Sequence, residues 1–263
     1  MELIAPRIFC IGTHHKTGTL WMRAVFRQLA DVIGVALYPA FARSGLHLVP
    51  DRDRAFLVSW SSAFQPALHD RPDARFLHLI RDPRDVLLSG MRYHLTTTRA
   101  EEAFLHEPRD DLDGRTYQQH LRALDGPEER LMFEMSGKHA GTLAEMLAWP
   151  YDRPNTIEAR YETLIADTDG RTFREHLRDL GLTEPEVEEG ARAFWRNALF
   201  GGLAKADDPA RRGHVTDGAP SQWRRLLPRS VARAYAERHG DALVSLGYES
   251  HPTAWLKEIR DAA

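Results

Sequence analysis

Residues 12–21, GTHHKTGTLW, constrain the chain more than any other segment, because they join a run of β-formers to a helical pattern through a short polar turn. Residues 7–12 (RIFCIG) read as a buried strand that leaves its sheet at Gly12. Beyond the turn, Leu20, Val25, Leu29 and Val32 recur at near-helical spacing up to Gly34, a helix stop. A strand–turn–helix joint of this kind directs successive backbone N–H groups and the positive end of a helix dipole to one point. With the hydroxyls of Thr17 and Thr19 and the ammonium of Lys16 added, the point is suited to an anion, a phosphate above all. The order K-T-G-T differs from the usual phosphate loop, in which the lysine follows the glycine. Lys16 also stands out against its background: the 35 basic residues include only Lys16, Lys138, Lys205 and Lys257 as lysines.

The same alternation continues downstream. Residues 55–60 (AFLVSW), 75–80 (RFLHLI) and 156–161 (TIEARY) read as strands, with helical patterns at 86–93 and 162–166 and a mostly helical remainder from 171 onward, interrupted at 201–221. Strands alternating with helices predict an α/β chain, a central parallel sheet flanked by helices with a helical C-terminal part. In such sheets ligands sit beyond the carboxyl ends of the strands. A length of 263 residues suits one domain over residues 1–263. Segment 98–129 is charge-rich and weakly patterned, and reads as a solvated surface, with a helical excursion or a lid as the other readings; its charges would suit a polar sugar, and Phe104, Leu105, Leu121 and Leu124 would line an apolar cleft.

Charge and cysteine usage exclude other classes. A formal net charge of −3 argues against a nucleic-acid partner, so any basic site is local. The lone Cys10, in an apolar run, reads as a packing residue and rules out a disulfide framework. No His/Cys/Asp cluster has a metal-ligand spacing, so no metal is expected. No run approaches the roughly 20 apolar residues of a membrane span, so no integral membrane segment is expected and cytoplasmic residence follows as the expectation.

Two further motifs carry basic chemistry. Residues 81–89, RDPRDVLLS, begin where the strand RFLHLI ends, with Pro83 suited to a first helical turn and Ser89 about two turns in. A guanidinium and a hydroxyl at that spacing converge on a phosphate. Taken in isolation, RDPRD reads instead as exposed helix-start charges, with Arg81 in a surface ion pair. Residues 211–225 hold Arg211, Arg212 and Gly213, then Gly218 and Trp223, a basic loop able to fold over a ligand.

The three motifs together resemble the sulfotransferases that use 3′-phosphoadenosine 5′-phosphosulfate (PAPS). H-H-K-T-G-T-L-W is similar to that family's 5′-phosphosulfate loop, R-D-P-R-D-V-L-L-S to its 3′-phosphate motif, and R-R-G-x-x-x-x-G-x-x-x-x-W to its late glycine-rich segment. The resemblance runs in the family's order from about Arg7 to Trp223 and implies a P-loop-like, sulfotransferase-type fold. It also implies PAPS as co-substrate and adenosine 3′,5′-bisphosphate (PAP) as product. On that basis Lys16, Thr17, Gly18 and Thr19 hold the phosphosulfate, His15 and Leu20 belong to the same cofactor-binding loop, and Leu20, in place of a second threonine, removes one phosphate contact. Arg81 and Ser89 hold the 3′-phosphate, and Arg211, Arg212 and Gly213 close over it. Trp21, Tyr161 and Phe200 face adenine; for Trp21 and Tyr161, packing in the core is the other reading.

The implied reaction is in-line sulfuryl transfer to a hydroxyl or amine, with Lys16 stabilising the departing phosphate. Residues 57–64, LVSWSSAF, lack the histidine that cytosolic members carry there, which leaves His47 and His15 as base candidates. A magnesium-dependent NTP kinase with an altered phosphate loop and a non-catalytic nucleotide-binding protein are the competing readings. The acceptor, a small molecule or a carbohydrate, is left open, as is a homodimer.

Overall fold

The computed structural model describes residues 5–40, 54–100, 102–205 and 218–260. In chain order the regular elements are β1 (Ile8–Gly12), α1 (Thr19–Ile33), β2 (Ala36–Pro39), β3 (Ala55–Ser59), α2 (Pro66–His69), β4 (Ala74–Ile80) and α3 (Pro83–Thr96). They continue with α4 (Tyr117–Ala123), α5 (Gly126–Ser136), α6 (Lys138–Leu147), β5 (Thr156–Arg160), α7 (Tyr161–Ala166), α8 (Arg171–Leu180) and α9 (Glu184–Asn197). The last two are α10 (Trp223–Leu226) and α11 (Arg229–Ser245). Two compact units result, one of residues 1–81 and 148–218, the other of residues 82–147 and 219–263. Among the described residues no helix is long and apolar enough to cross a membrane.

The first unit is built on a five-stranded sheet in the order β2-β3-β1-β4-β5, every neighbouring pair parallel. Parallel strands are covered on both faces, and β1 and β3 are buried at every residue. Alternation splits them cleanly: Phe9, Ile11, Phe56, Val58, Leu77 and Leu79 pack with residues of α1, α8 and α9. Ile8, Cys10, Leu57 and Phe76 face the other way, onto Phe64, Leu68 and Trp149. Cys10 is thus a packing residue, and burial pushes its thiol pKa up. Gly34 ends α1 in the left-handed conformation expected of a C-terminal stop.

The chain leaves β1, which lies between β3 and β4, for β2 and β3 on one side and takes β4 and β5 on the other. Open α/β sheets bind ligands beyond the carboxyl ends of the strands at such a reversal, and residues 13–18 and Arg81 directly follow β1 and β4 there. The sequence reading missed β2, a half-buried edge strand of four residues that starts two residues after Gly34 and carries no alternation long enough to register.

The second unit packs α3 to α6 and α11 around a core that includes Leu87, Leu131, Met135, Trp223, Val231 and Trp255. Segment 98–129, expected as a solvated surface, is partly interior: Leu105, Tyr117 and Leu121 are fully buried, and Thr116 closes a capping box at the start of α4. The isolated reading of RDPRD as exposed charge is also corrected. Arg84 and Asp85 are each 1% exposed. Arg84 is held by Asp82 at 2.8 Å and Glu249 at 2.6 Å and lies 3.7 Å above the Trp223 ring. Asp85 accepts the Trp223 backbone N–H at 3.0 Å. Alternating charges at a helix start look solvated in a sequence because the partners, here Glu249 and two tryptophans, are more than 130 residues away.

A buried ion pair costs desolvation, so it stabilises little by itself, but removing one member strands the other. Arg84→Ala is therefore expected to destabilise the chain by about 3–5 kcal/mol. Urea denaturation of the variant and the parent checks it; a loss below about 1 kcal/mol would show that the cluster is solvated.

Candidate anion site

Residues 13–18 turn tightly between β1 and α1, and their geometry is set by two left-handed residues. Lys16 has φ 65° and Gly18 φ 108°. Left-handed residues of this kind are the backbone feature of anion nests, which makes this turn, at the N-terminus of α1, a candidate anion site. A Cβ at Gly18 would also press at 3.3 Å on Leu79 and Tyr161 at a φ that L side chains rarely adopt, so glycine is strongly favoured there. A left-handed lysine is costly, which marks Lys16 as a constrained position rather than a random surface cation.

Hydroxyls brace the turn from within. Thr17 is buried; its Oγ1 accepts the His14 N–H at 2.9 Å, and its own N–H donates to the His14 carbonyl at 3.1 Å. Thr19 Oγ1 donates to the same carbonyl at 2.7 Å and stands 2.9 Å from Thr13 Oγ1. Ser62 Oγ donates to the Thr13 carbonyl at 3.1 Å, tying the turn to the segment after β3. Thr17 and Thr19, expected to bind phosphate, thus also serve as struts. Lys16 and His15 are half-buried on the turn, and Leu20 is 42% exposed.

Arg81 follows β4 and is 6% exposed. Its Nη1 donates to the Lys16 carbonyl at 3.3 Å and its guanidinium lies 4.4 Å over the Tyr161 ring. Among the described residues no carboxylate pairs with it, and its Nε is buried with no hydrogen-bond partner. A guanidinium in that state keeps unspent donors, which an incoming oxyanion can take up. The surface ion pair of the isolated reading is therefore absent among the described residues. Tyr161 opens α7 and donates its hydroxyl to the Gly218 carbonyl at 2.8 Å, fixing the residue that ends the late basic segment. Ser89 is half-buried on α3 in the second unit.

Aromatic rings gather beside the turn. Trp21 stacks on Phe194 at 4.7 Å and meets Tyr161 and Phe200 edge-on at 6.3 and 6.1 Å. Both readings of Trp21 survive: its ring joins the core of the first unit and stays half-buried among Tyr161 and Phe200. Of the remaining predicted residues, His47, Arg211, Arg212 and Gly213 lie outside the described residues.

One constellation escaped the sequence reading. His14 Nε2 lies 2.9 Å from His78 Nε2, and His78 Nδ1 lies 2.6 Å from Glu158 Oε2. Both histidines are fully buried. The signal was present as a single histidine in the apolar strand RFLHLI, but its partners stand 64 and 80 residues away in sequence.

No protein-family model and no curated protein matches the chain by sequence. Solved structures do match by shape. Mouse sulfotransferase SULT7A1 complexed with PAP is similar with a TM-score of 0.54 at 15% identity, over 97% of this chain and 89% of that one. Retinol dehydratase in complex with androsterone and the inactive cofactor PAP is similar with a TM-score of 0.52 at 15% identity, over 91% of this chain and 81% of that one. At this identity the likeness defines the fold: the chain has the sulfotransferase-type architecture, a parallel sheet flanked by helices.

Burial, opposed by Glu158, lowers the His78 pKa to about 4, with His14 and His69 lowering it further; burial lowers that of His139 to about 3. Below about pH 6.5 the unfolded chain therefore binds protons that the native state refuses. The contribution of these neutral histidines is complete above pH 6.5 and is lost as the pH falls toward 4 for His78 and toward 3 for His139. Unfolding free energies from urea denaturation at pH 7 to 4.5 are expected to fall, below pH 6.5, with a slope approaching about 1.4 kcal/mol per pH unit for each such histidine. His78→Phe should flatten the curve, and an unchanged slope would contradict the assignment.

Proposed function

We propose that the chain is a sulfotransferase that moves a sulfuryl group from PAPS to a hydroxyl or amine acceptor and releases PAP. The observation that carries this reading is the Arg81 guanidinium, 6% exposed and with no carboxylate partner among the described residues, bound to the carbonyl of the left-handed Lys16. Two oxyanion-seeking elements, a backbone nest and a buried arginine, meet where the sheet reverses. The fold supports the reading, and PAP is the nucleotide held by both structural neighbours.

In this scheme the turn at residues 13–18 holds the 5′-phosphosulfate and Arg81, with Ser89, holds the 3′-phosphate. The donor supplies an activated sulfuryl group whose S–O bond to the 5′-phosphate breaks as the acceptor's bond to sulfur forms. Lys16 places its ammonium at the bridging oxygen and balances the charge that gathers on the departing phosphate. Because that charge is greater in the transition state than in the bound donor, Lys16 acts on turnover more than on binding. His15, beside Lys16 on the same turn, is the described candidate for taking the acceptor's proton, and His47 is the candidate outside the described residues. Arg211, Arg212 and Gly213 close over the nucleotide. Trp21, Tyr161 and Phe200 supply the aromatic surface for adenine, and no metal takes part. The acceptor is a small molecule or a carbohydrate, and the reaction is assigned to the cytoplasm.

Calorimetric titration of metal-free protein with PAP, ADP and ATP tests the reading: tight PAP binding indifferent to Mg²⁺ supports it, and a preference for ATP with Mg²⁺ would replace it with a kinase. Removing the arginine by Arg81→Ala is expected to weaken PAP by about 10- to 100-fold while AMP, which lacks the 3′-phosphate, changes little, in line with the strength of charge-assisted hydrogen bonds. Equal losses for the two nucleotides would reject that role. For Lys16→Ala the expected outcome is a fall in kcat of about 100-fold or more with the KM for PAPS little changed, the scale of losing one charge-stabilising donor. Steady-state kinetics in which only KM moves would reject it.

A further inference from the structure

The anion turn carries two adjacent histidines, and the mechanism uses only His15. The His14 ring turns inward onto β4, edge-on to His78 with the ring planes at 83°. Strand register explains the meeting. Gly12 pairs with His78 across β1 and β4, and His78 pairs with Glu158 across β4 and β5. His14, two residues past Gly12, thus comes to the far edge of the His78 imidazole. Trp149 stacks on His78 at 4.0 Å and donates its indole N–H to the second Glu158 oxygen at 2.7 Å. Glu158 is the partly exposed end of the chain of contacts.

Proton counting fixes the direction of each bond. An ionised carboxylate only accepts, so Glu158 takes the Nδ1–H of His78. The Nε2 of a neutral His78 is then a lone pair, and the proton in the His14–His78 bond sits on His14 Nε2. The backbone of His14 is meanwhile the hub of the turn, bonded through its N–H and its carbonyl to Thr17 and through the carbonyl to Thr19.

We propose that Glu158, His78 and His14 form a relay that holds the anion turn in its binding shape from beneath, with His14 the positioning residue and Glu158 setting the tautomer. The identity of the anion rests on the sulfotransferase reading; the relay itself does not. The low pKa of His78 agrees, since a neutral imidazole is what the single shared proton requires.

The test uses the full chain labelled with ¹⁵N at histidine. Imidazole shifts are expected to show His78 protonated at Nδ1 and His14 at Nε2. In Glu158→Gln one amide oxygen replaces two carboxylate oxygens that serve His78 and Trp149, so the Nδ1–H population of His78 falls. In calorimetry, His14→Phe keeps a ring without a donor and is expected to bind PAP about 5- to 10-fold more weakly, the scale of one hydrogen bond. His14→Gln, whose amide can donate to His78, is expected to restore most of the affinity. The relay is overturned if His78 carries its proton on Nε2 in the parent protein, if Glu158→Gln leaves the tautomers unchanged, or if His14→Phe and His14→Gln bind PAP equally well. Should the parent fail to bind PAP, the sulfotransferase reading falls while the tautomer shifts still decide the relay. In that case hydrogen exchange at the Thr17 amide, expected to quicken in His14→Phe and recover in His14→Gln, replaces the affinity readout.

Discussion

The turn at residues 13–18 depends on one steric fact: its backbone reverses through left-handed residues at Lys16 and Gly18. Left-handed residues of this kind turn backbone N–H groups outward from a strand–helix joint, which is what makes the turn a candidate anion site. The structure holds the costly conformation by surrounding it. Thr17 and Thr19 bond back to the His14 carbonyl, Ser62 holds the Thr13 carbonyl, and Arg81 holds the Lys16 carbonyl. Strain at one residue persists because its neighbours over-determine it.

Arg81 connects that constraint to chemistry. Arginine is rarely buried without a carboxylate, because desolvating a guanidinium is expensive. Here a carbonyl and the face of Tyr161 compensate only in part. Arg84, three residues on, is buried with full compensation by Asp82 and Glu249. The two arginines divide one motif into a part that can still bind and a part already committed to holding the second unit's core.

Much of the architecture was legible because parallel strands are apolar throughout and the helices between them follow a 3.6-residue period. The strands at 8–12 and 55–59, most of 74–80 and the first helix carry that signature, whereas 156–160 is a partly buried edge strand that holds Glu158 and Arg160. The edge strand Ala36–Pro39 does not, being short, half-buried and adjacent to a helix end. In segment 98–129 the charged background hid Tyr117, and Leu105 and Leu121, readable as a cleft lining, are core residues instead. In the candidate site, Lys16, Gly18 and Arg81 were legible from residue type and order, whereas the roles of Thr17 and Thr19 as struts were not, since a hydroxyl's partner is a matter of distance.

The sequence by itself determined the local chemistry: a glycine-bounded polar turn after an apolar strand, one of only four lysines in an arginine-rich chain placed on that turn, and an arginine at the end of another strand. Hydrophobic periodicity and backbone preference are local properties, so they are written along the chain. Only the tertiary structure decided which polar groups became interior. It brought His14, His78 and Glu158 into contact across three strands, and it turned Arg84 inward. The reason is that burial and pairing are set by strand register and by packing between residues far apart in sequence, and no residue type carries that information alone.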